Sequence, residues 1–313
     1  MDLQGSSPIE YLKYNITDAF EQIYKTEKLK IDIKQGLIKP SIFYEIGGDK
    51  IKPPHVRDGA IYVQENYLSF LWAFIYGCWV QFEELVMKGE LRQKGETLIT
   101  DNNIVEDAIK LTEWAITSCS EFTNWPDNLP SPNPNAYKSK NEKFYITRVN
   151  GVFIDALSMI LFHEVAHLKF KHEQICNEIE DAVWKECEKE CDVYGIECVV
   201  DESIRNNEDL FQQKTISIIF SFSANLFITN NPLLICQKRH PDLDDRLFNA
   251  FGLLNIEEKY HQYYVYKLAD LIIRHYRNIH REYYDGIKQF FKNKLVETAK
   301  ELFLEDIEVL KKK

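Results

Sequence analysis

Hydrophobic residues recur at helical spacing over most of the chain, and where that period fails it fails abruptly. Ile9, Leu12, Ile16, Phe20 and Ile23 line one face of a helix expected over residues 9–28, with Ser7-Pro8 as its start. Residues 37–46 and 60–63 are instead rich in β-branched and aromatic side chains. Gly47-Gly48, Pro53-Pro54 and Gly59 bound them, so short strands forming a small sheet are expected. His55 falls between them and reads as an exposed loop histidine. Residues 65–88 carry Leu68, Leu71, Trp72, Phe74, Ile75, Trp79 and Phe82, and a helix this apolar is covered on most sides, a pillar of the core. Residues 103–119 predict a further amphipathic helix. Pro126, Pro130, Pro132 and Pro134 then break the pattern across residues 123–141, a long loop that is either a lid or binding surface or a connection between lobes.

Residues 143–149 lead into Asn150-Gly151 and an apolar run over residues 152–170. Phe144-Tyr145-Ile146-Thr147 fits either a strand or the first turn of the helix that follows; as a strand it would offer a sheet edge to an extended peptide. Lys169, Lys171, His172 and Glu173 raise the polarity, so the helix ends near Phe170 and His172 reads as a helix-end cation. Residues 178–202 predict one long helix, and residues 257–313 predict two more, the last amphipathic over 286–310. That final region is rich in tyrosine, which packs on the core by default or else presents an aromatic face to a protein substrate.

Composition narrows the function classes. A hydrophobic fraction of 45% excludes disorder, and a net charge of −11 with no basic stripe beyond Lys311 to Lys313 excludes a nucleic-acid partner. Seven cysteines without a framework pattern are expected to be reduced thiols. No targeting segment is visible at the polar N-terminus, so the cytoplasm is the expected compartment. The apolar runs at residues 67–80 and 216–228 fall short of the roughly 20 residues that span a membrane, and are expected to be buried core helices without membrane contact.

Within the apolar run lies His163-Glu164-Val165-Ala166-His167. On a helix, residues four apart project from one face, so the two imidazoles can share a metal ion; Glu164, about 100° round, can reach a water beside that ion without ligating it. This is the H-E-x-x-H arrangement of zinc peptidases, and it needs a third ligand. The helix at residues 178–202 carries a surplus: Glu186, Glu188, Glu190, Asp192, Cys187 and Cys191. Taking about 100° per residue, Trp184, Cys191, Gly195 and Cys198 define a buried face, with Glu188 and Asp192 at its margin and Glu186 and Glu190 toward water. Glu188 is the carboxylate whose burial a metal would explain, and Asp192, one turn on, could orient a zinc histidine. Glu190 and a Cys187/Cys191 pair stay open as rivals, the cysteines otherwise being small packing residues where two helices approach.

Glu188-Lys189-Glu190-Cys191-Asp192 resembles the E-x-E-A-D signature of gluzincin peptidases, with cysteine in place of the alanine. His240-Pro241-Asp242-Leu243-Asp244-Asp245-Arg246 resembles the H-P-x-x-x-x-R element found downstream in several of these families, unless Pro241 and Asp242 simply start a helix running to Leu254. The resemblance covers about residues 150 to 250. It is strongest to the Lit-type phage-exclusion zinc metallopeptidases, with the ImmA/IrrE-type regulatory peptidases, which cleave a repressor, as second choice. It implies a mainly α fold with a small β-sheet, a zincin-like core wrapped by additional helices. As one domain over residues 1–313, this would comprise an N-terminal lobe at 1–122, a catalytic core at 143–255 and C-terminal helices at 256–313. It also implies Zn²⁺ held by His163, His167 and Glu188, Glu164 as base, His240 at the substrate carbonyl or its oxyanion, and Asp192 and Arg246 in support. The implied partners are a protein substrate, elongation factor Tu, and a phage-derived activating peptide. A non-catalytic zinc-bearing interaction protein and an accidental motif in a helical scaffold are the competing readings.

Overall fold

Residues 66–81 have almost no polar side, and accordingly all of them are buried in α2 (Glu65–Gln81), where Trp72, Tyr76 and Phe74 are among the largest fully enclosed side chains. The computed structural model describes residues 8–24, 42–45, 50–121, 123–172, 180–228 and 243–279, with positions 294, 297 and 298. The fold is mainly α with a small β-sheet. Before α2 come α1 (Glu10–Tyr24), β1 (Ile42–Glu45), β2 (His55–Arg57) and β3 (Ala60–Gln64). After it come a π-helical turn (Phe82–Met87), α3 (Lys88–Gln93), α4 (Asn102–Ser118) and α5 (Lys140–Lys169). They are followed by α6 (Asp181–Val199), α7 (Glu202–Arg205), α8 (Glu208–Ile228), α9 (Leu243–Leu254) and α10 (Lys259–Ile279).

The second pillar is α5, which packs against α1, α2, α6, α8 and β2. Its contact with α1 includes Phe20 stacked on Phe162, ring centroids 5.4 Å apart. The π-helical turn carries a fully buried carboxylate, Glu84. It accepts from Lys88 Nζ at 2.7 Å, from the Tyr145 hydroxyl at 2.7 Å and from the Asp101 backbone N–H at 3.0 Å, tying α5 to the end of α2.

Of the two readings open for Phe144 to Thr147 the helical one holds, so no sheet edge forms there, and the loop position expected for His55 is corrected. Ser139 caps α5 by accepting from the Glu142 N–H at 3.1 Å while Glu142 accepts from the Lys138 N–H at 2.6 Å, a close variant of the S-x-x-E capping box that was legible in the sequence. His55 is in strand β2, half-buried, and not in a loop. Asp58 and Gly59 both take positive φ, 52° and 72°, which closes β2 onto β3 as a two-residue hairpin pairing Arg57 with Ala60. The sheet order is β1-β3-β2, with β1 parallel to β3, so among the described residues β2 is an edge strand. The proline-rich loop packs on the core, Asn150 donating to the Pro132 carbonyl at 2.9 Å while accepting from the Trp72 indole at 2.7 Å. The last expected helix, at residues 286–310, lies largely outside the described residues.

The apolar runs at residues 67–80 and 216–228 are core, buried almost throughout. Lys140–Lys169 is long and apolar enough to cross a membrane, but 78% of its most apolar window is buried inside the fold. Helices α2 and α4 meet closely at Gly77, where an added Cβ would stand 2.0 Å from Thr112 Oγ1 and 2.8 Å from the Ala108 carbonyl oxygen. Gly77→Ala is therefore expected to lower the unfolding free energy by roughly 1–3 kcal/mol, read as an earlier urea midpoint with an unchanged slope.

Candidate metal centre

The geometry of the site follows from how tightly α6 lies along α5. At Gly195 an added Cβ would come within 2.9 Å of the Met159 carbonyl oxygen and 3.3 Å of the His163 backbone nitrogen, so a larger residue would push the helices apart. This approach places Glu188 and Asp192, one turn apart on α6, against the histidines of α5. His163 Nε2 and His167 Nε2 are 3.2 Å apart. The two oxygens of Glu188 lie 3.3 Å from His163 Nε2 and 3.4 Å from His167 Nε2. On its other side His163 Nδ1 faces Asp192 Oδ1 at 2.9 Å. Arg246, from α9, grips both oxygens of Asp192, Nε to Oδ2 at 2.8 Å and Nη2 to Oδ1 at 2.6 Å. Trp184, one turn before Glu188, stacks on His167 at 5.8 Å between centroids and 15° between planes, fixing the ring.

Glu188 and Asp192 are 2% and 6% exposed, whereas Glu186 and Glu190 face solvent. Cys191 is fully buried, and the donors of His163, His167 and Cys191 lie within 4.8 Å of one another, so these three could also hold a metal ion. Cys187 is only half-buried. Glu164 is half-buried and lines a cavity of about 590 Å³ together with His163, His167, Glu188 and Arg246. Residues 52–56, in and before β2, form one wall of that cavity, and Phe222 and Asn225 of α8 form another. His240 lies outside the described residues.

Burial opposes charge at every one of these groups, and their neighbours decide the outcome. Burial would lower His163, but the Asp192 and Glu188 carboxylates outweigh it and push the imidazole up to about 10. His167 moves the other way, to about 3, because burial is reinforced by the positive charge on His163. Asp192 stays below the usual carboxylate range despite its burial, held there by Arg246 and His163. Burial, with the carboxylates around it, pushes the Cys191 thiol far up, so it is held as S–H. The carboxylates of Asp192, Glu188 and Glu164 in turn favour the charged form of Arg246 against its burial.

His172 was not foreseen as part of this centre. It is not a helix-end cation in solvent: only 3% of it is exposed, and its Nδ1 lies 3.1 Å from His167 Nδ1. An ideal helix places residues five apart about 140° round from each other, so helical angle could not bring them together. The close approach at Gly195 and the cavity wall at β2 were missed as well; the Asp58-Gly59 turn signal pointed to the hairpin, but nothing local pointed to what it packs against.

Known proteins place the chain in context. A curated Escherichia coli (strain K12) protein described as "Cell death peptidase" is 21% identical over 187 residues, covering 58% of this chain and 59% of that protein, so the chain spans less than two thirds of that relative's length. No solved structure matches. The family model described as Peptidase U49 matches residues 61–269, a span that starts at β3, runs into α10 and contains His163, Glu164, His167, Glu188, Asp192 and Arg246. The chain belongs to the Peptidase U49 family.

Proposed function

We propose that this protein is a zinc-dependent endopeptidase, a hydrolase whose ion is held by His163, His167 and Glu188. The observation that carries the reading is the convergence of His163 Nε2 and His167 Nε2, 3.2 Å apart, on the Glu188 carboxylate, whose Oε2 lies 3.3 Å from the first and whose Oε1 lies 3.4 Å from the second. Donors about 2.1 Å from one zinc ion in tetrahedral arrangement stand ~3.4 Å apart, so the set fits with little movement. The same three residues line the cavity, which would give water and substrate access to an ion held there. Zinc, when bound, supplies a Lewis acid that polarises a scissile carbonyl and lowers the pKa of water toward about 7.

The residues of the chain do the rest. Glu164 is at the cavity wall, one residue on from His163, where it takes a proton from an attacking water and returns it to the leaving amine. Asp192 orients His163 through Nδ1, and Arg246 holds Asp192 with two hydrogen bonds. His240, by resemblance, meets the substrate carbonyl or its oxyanion. Cavity and edge strand together suit an extended polypeptide rather than a compact small molecule. The relative's description supports a peptidase, and the sequence resemblance alone suggests a protein target in the cytoplasm, elongation factor Tu, with cleavage gated by a phage-derived peptide. The free thiols of Cys78, Cys119, Cys187, Cys191 and Cys198 fit that compartment.

A second reading, a closed structural metal site in a non-catalytic protein, takes Cys191 as third ligand with His163 and His167. Metal analysis of variants separates the two. Glu188→Gln is expected to lose the ion that wild type carries at about one zinc per chain, while Glu190→Gln and Cys191→Ser keep it. Loss from Cys191→Ser with retention by Glu188→Gln would establish the second reading instead. Glu164→Gln is expected to keep the zinc and to lose cleavage of elongation factor Tu, assayed with the activating peptide, by about 10²–10⁴-fold. Wild-type turnover by that variant would remove Glu164 from the mechanism.

A further inference from the structure

Beyond the ligands lies a second arrangement, on the far side of His167. Helix α5 ends at Phe170, and the next residue, Lys171, takes φ +59°, the left-handed conformation that turns a chain back across a helix end. The turn carries His172 inward, where its ring meets Phe170 at 5.6 Å, His167 at 5.2 Å and Trp184 at 6.1 Å between centroids. His172 Nδ1 lies 3.1 Å from His167 Nδ1 and 3.6 Å from Cys191 Sγ, and His172 Nε2 faces Glu190 Oε2 at 3.7 Å.

The nitrogen that His167 turns toward His163 and Glu188 is Nε2. A neutral imidazole that gives Nε2 to a metal carries its hydrogen on Nδ1 and must donate it. The group that Nδ1 faces is His172 Nδ1, which therefore offers its lone pair and keeps its own hydrogen on Nε2, the nitrogen nearest Glu190. The whole sequence of donors and acceptors runs in one direction, from His167 through His172 toward Glu190.

We propose that His172 is a positioning residue for the metal centre: it accepts a hydrogen bond from His167 Nδ1 and holds that ring in its ligating orientation, its Nε2 turned toward Glu190. This rests on the reading that His163, His167 and Glu188 bind zinc. The two histidines then have different supports, a carboxylate behind His163 and a neutral imidazole behind His167.

The test is zinc affinity, measured by chelator competition on the full-length chain, with metal-free unfolding midpoints as a control for folding. His172→Phe keeps the ring packing but cannot accept, and is expected to weaken zinc by about 10–100-fold. His172→Asn can place Oδ1 near the former Nδ1 position and is expected to recover most of that loss. The cobalt-substituted Phe variant should show a changed visible ligand-field spectrum, which the Asn variant restores. Lys171→Val, which opposes a positive φ without touching His172, should weaken zinc, while Lys171→Gly should not. These two keep the question open to measurement if the Phe variant does not fold. Zinc affinity equal to wild type in both His172→Phe and Lys171→Val, or an Asn variant no better than Phe, overturns the inference while leaving the ligand set standing. A wild-type protein that binds no zinc overturns both.

Discussion

Everything in the metal centre depends on how closely two helices can lie. Helix α6 approaches α5 at Gly195, where the carbonyl of Met159 occupies the space a side chain would need. Only at that separation do short carboxylate stems on α6 reach the imidazoles of α5. Glu188 bridges both histidines, and Asp192, one turn further along, stands behind His163. Cys191, fully buried beside them, is small enough not to spoil the contact.

Such closeness has an electrostatic consequence. Two carboxylates buried at 2% and 6% exposure cost free energy unless positive charge compensates them. Arg246 compensates Asp192 with a two-pronged grip, and a proton on His163 answers part of the remainder, which is why that imidazole is raised to about 10 while His167 is lowered to about 3. An ion held by these residues would join an ion-pair network already present in the protein.

Around this network the fold supplies access and support. The walls of the cavity come from five places distant in sequence: β2 with the segment leading into it, the C-terminal half of α5, α6, α8, and Arg246 of α9. Edge strand β2 is short and is held by a tight Asp58-Gly59 hairpin, so its position against the centre is fixed by the pairing with β3 that precedes pillar α2. On the opposite side of His167, the left-handed Lys171 returns the chain so that His172 seals the centre from below.

Much of this was legible in the sequence wherever one element's own period carried the information. The inward face of α1 and the division of α6 into a buried edge with Glu188 and Asp192 and a wet edge with Glu186 and Glu190 follow from an angular step of about 100°, and the end of α5 at Phe170 follows from the rise in polarity after it. Two local signals were present and went unread, the Ser139 to Glu142 cap that makes Phe144 to Thr147 helical and the Asp58-Gly59 turn that makes His55 part of a strand. What the tertiary structure alone decided is which elements meet: Arg246 on Asp192, β2 on the cavity, His172 against His167. The reason is that helical and strand periods fix directions within one element. Contacts between elements depend on where the chain reverses and how near two backbones can come, and those are set by single residues such as Lys171 and Gly195 whose effect appears only once the packing is formed.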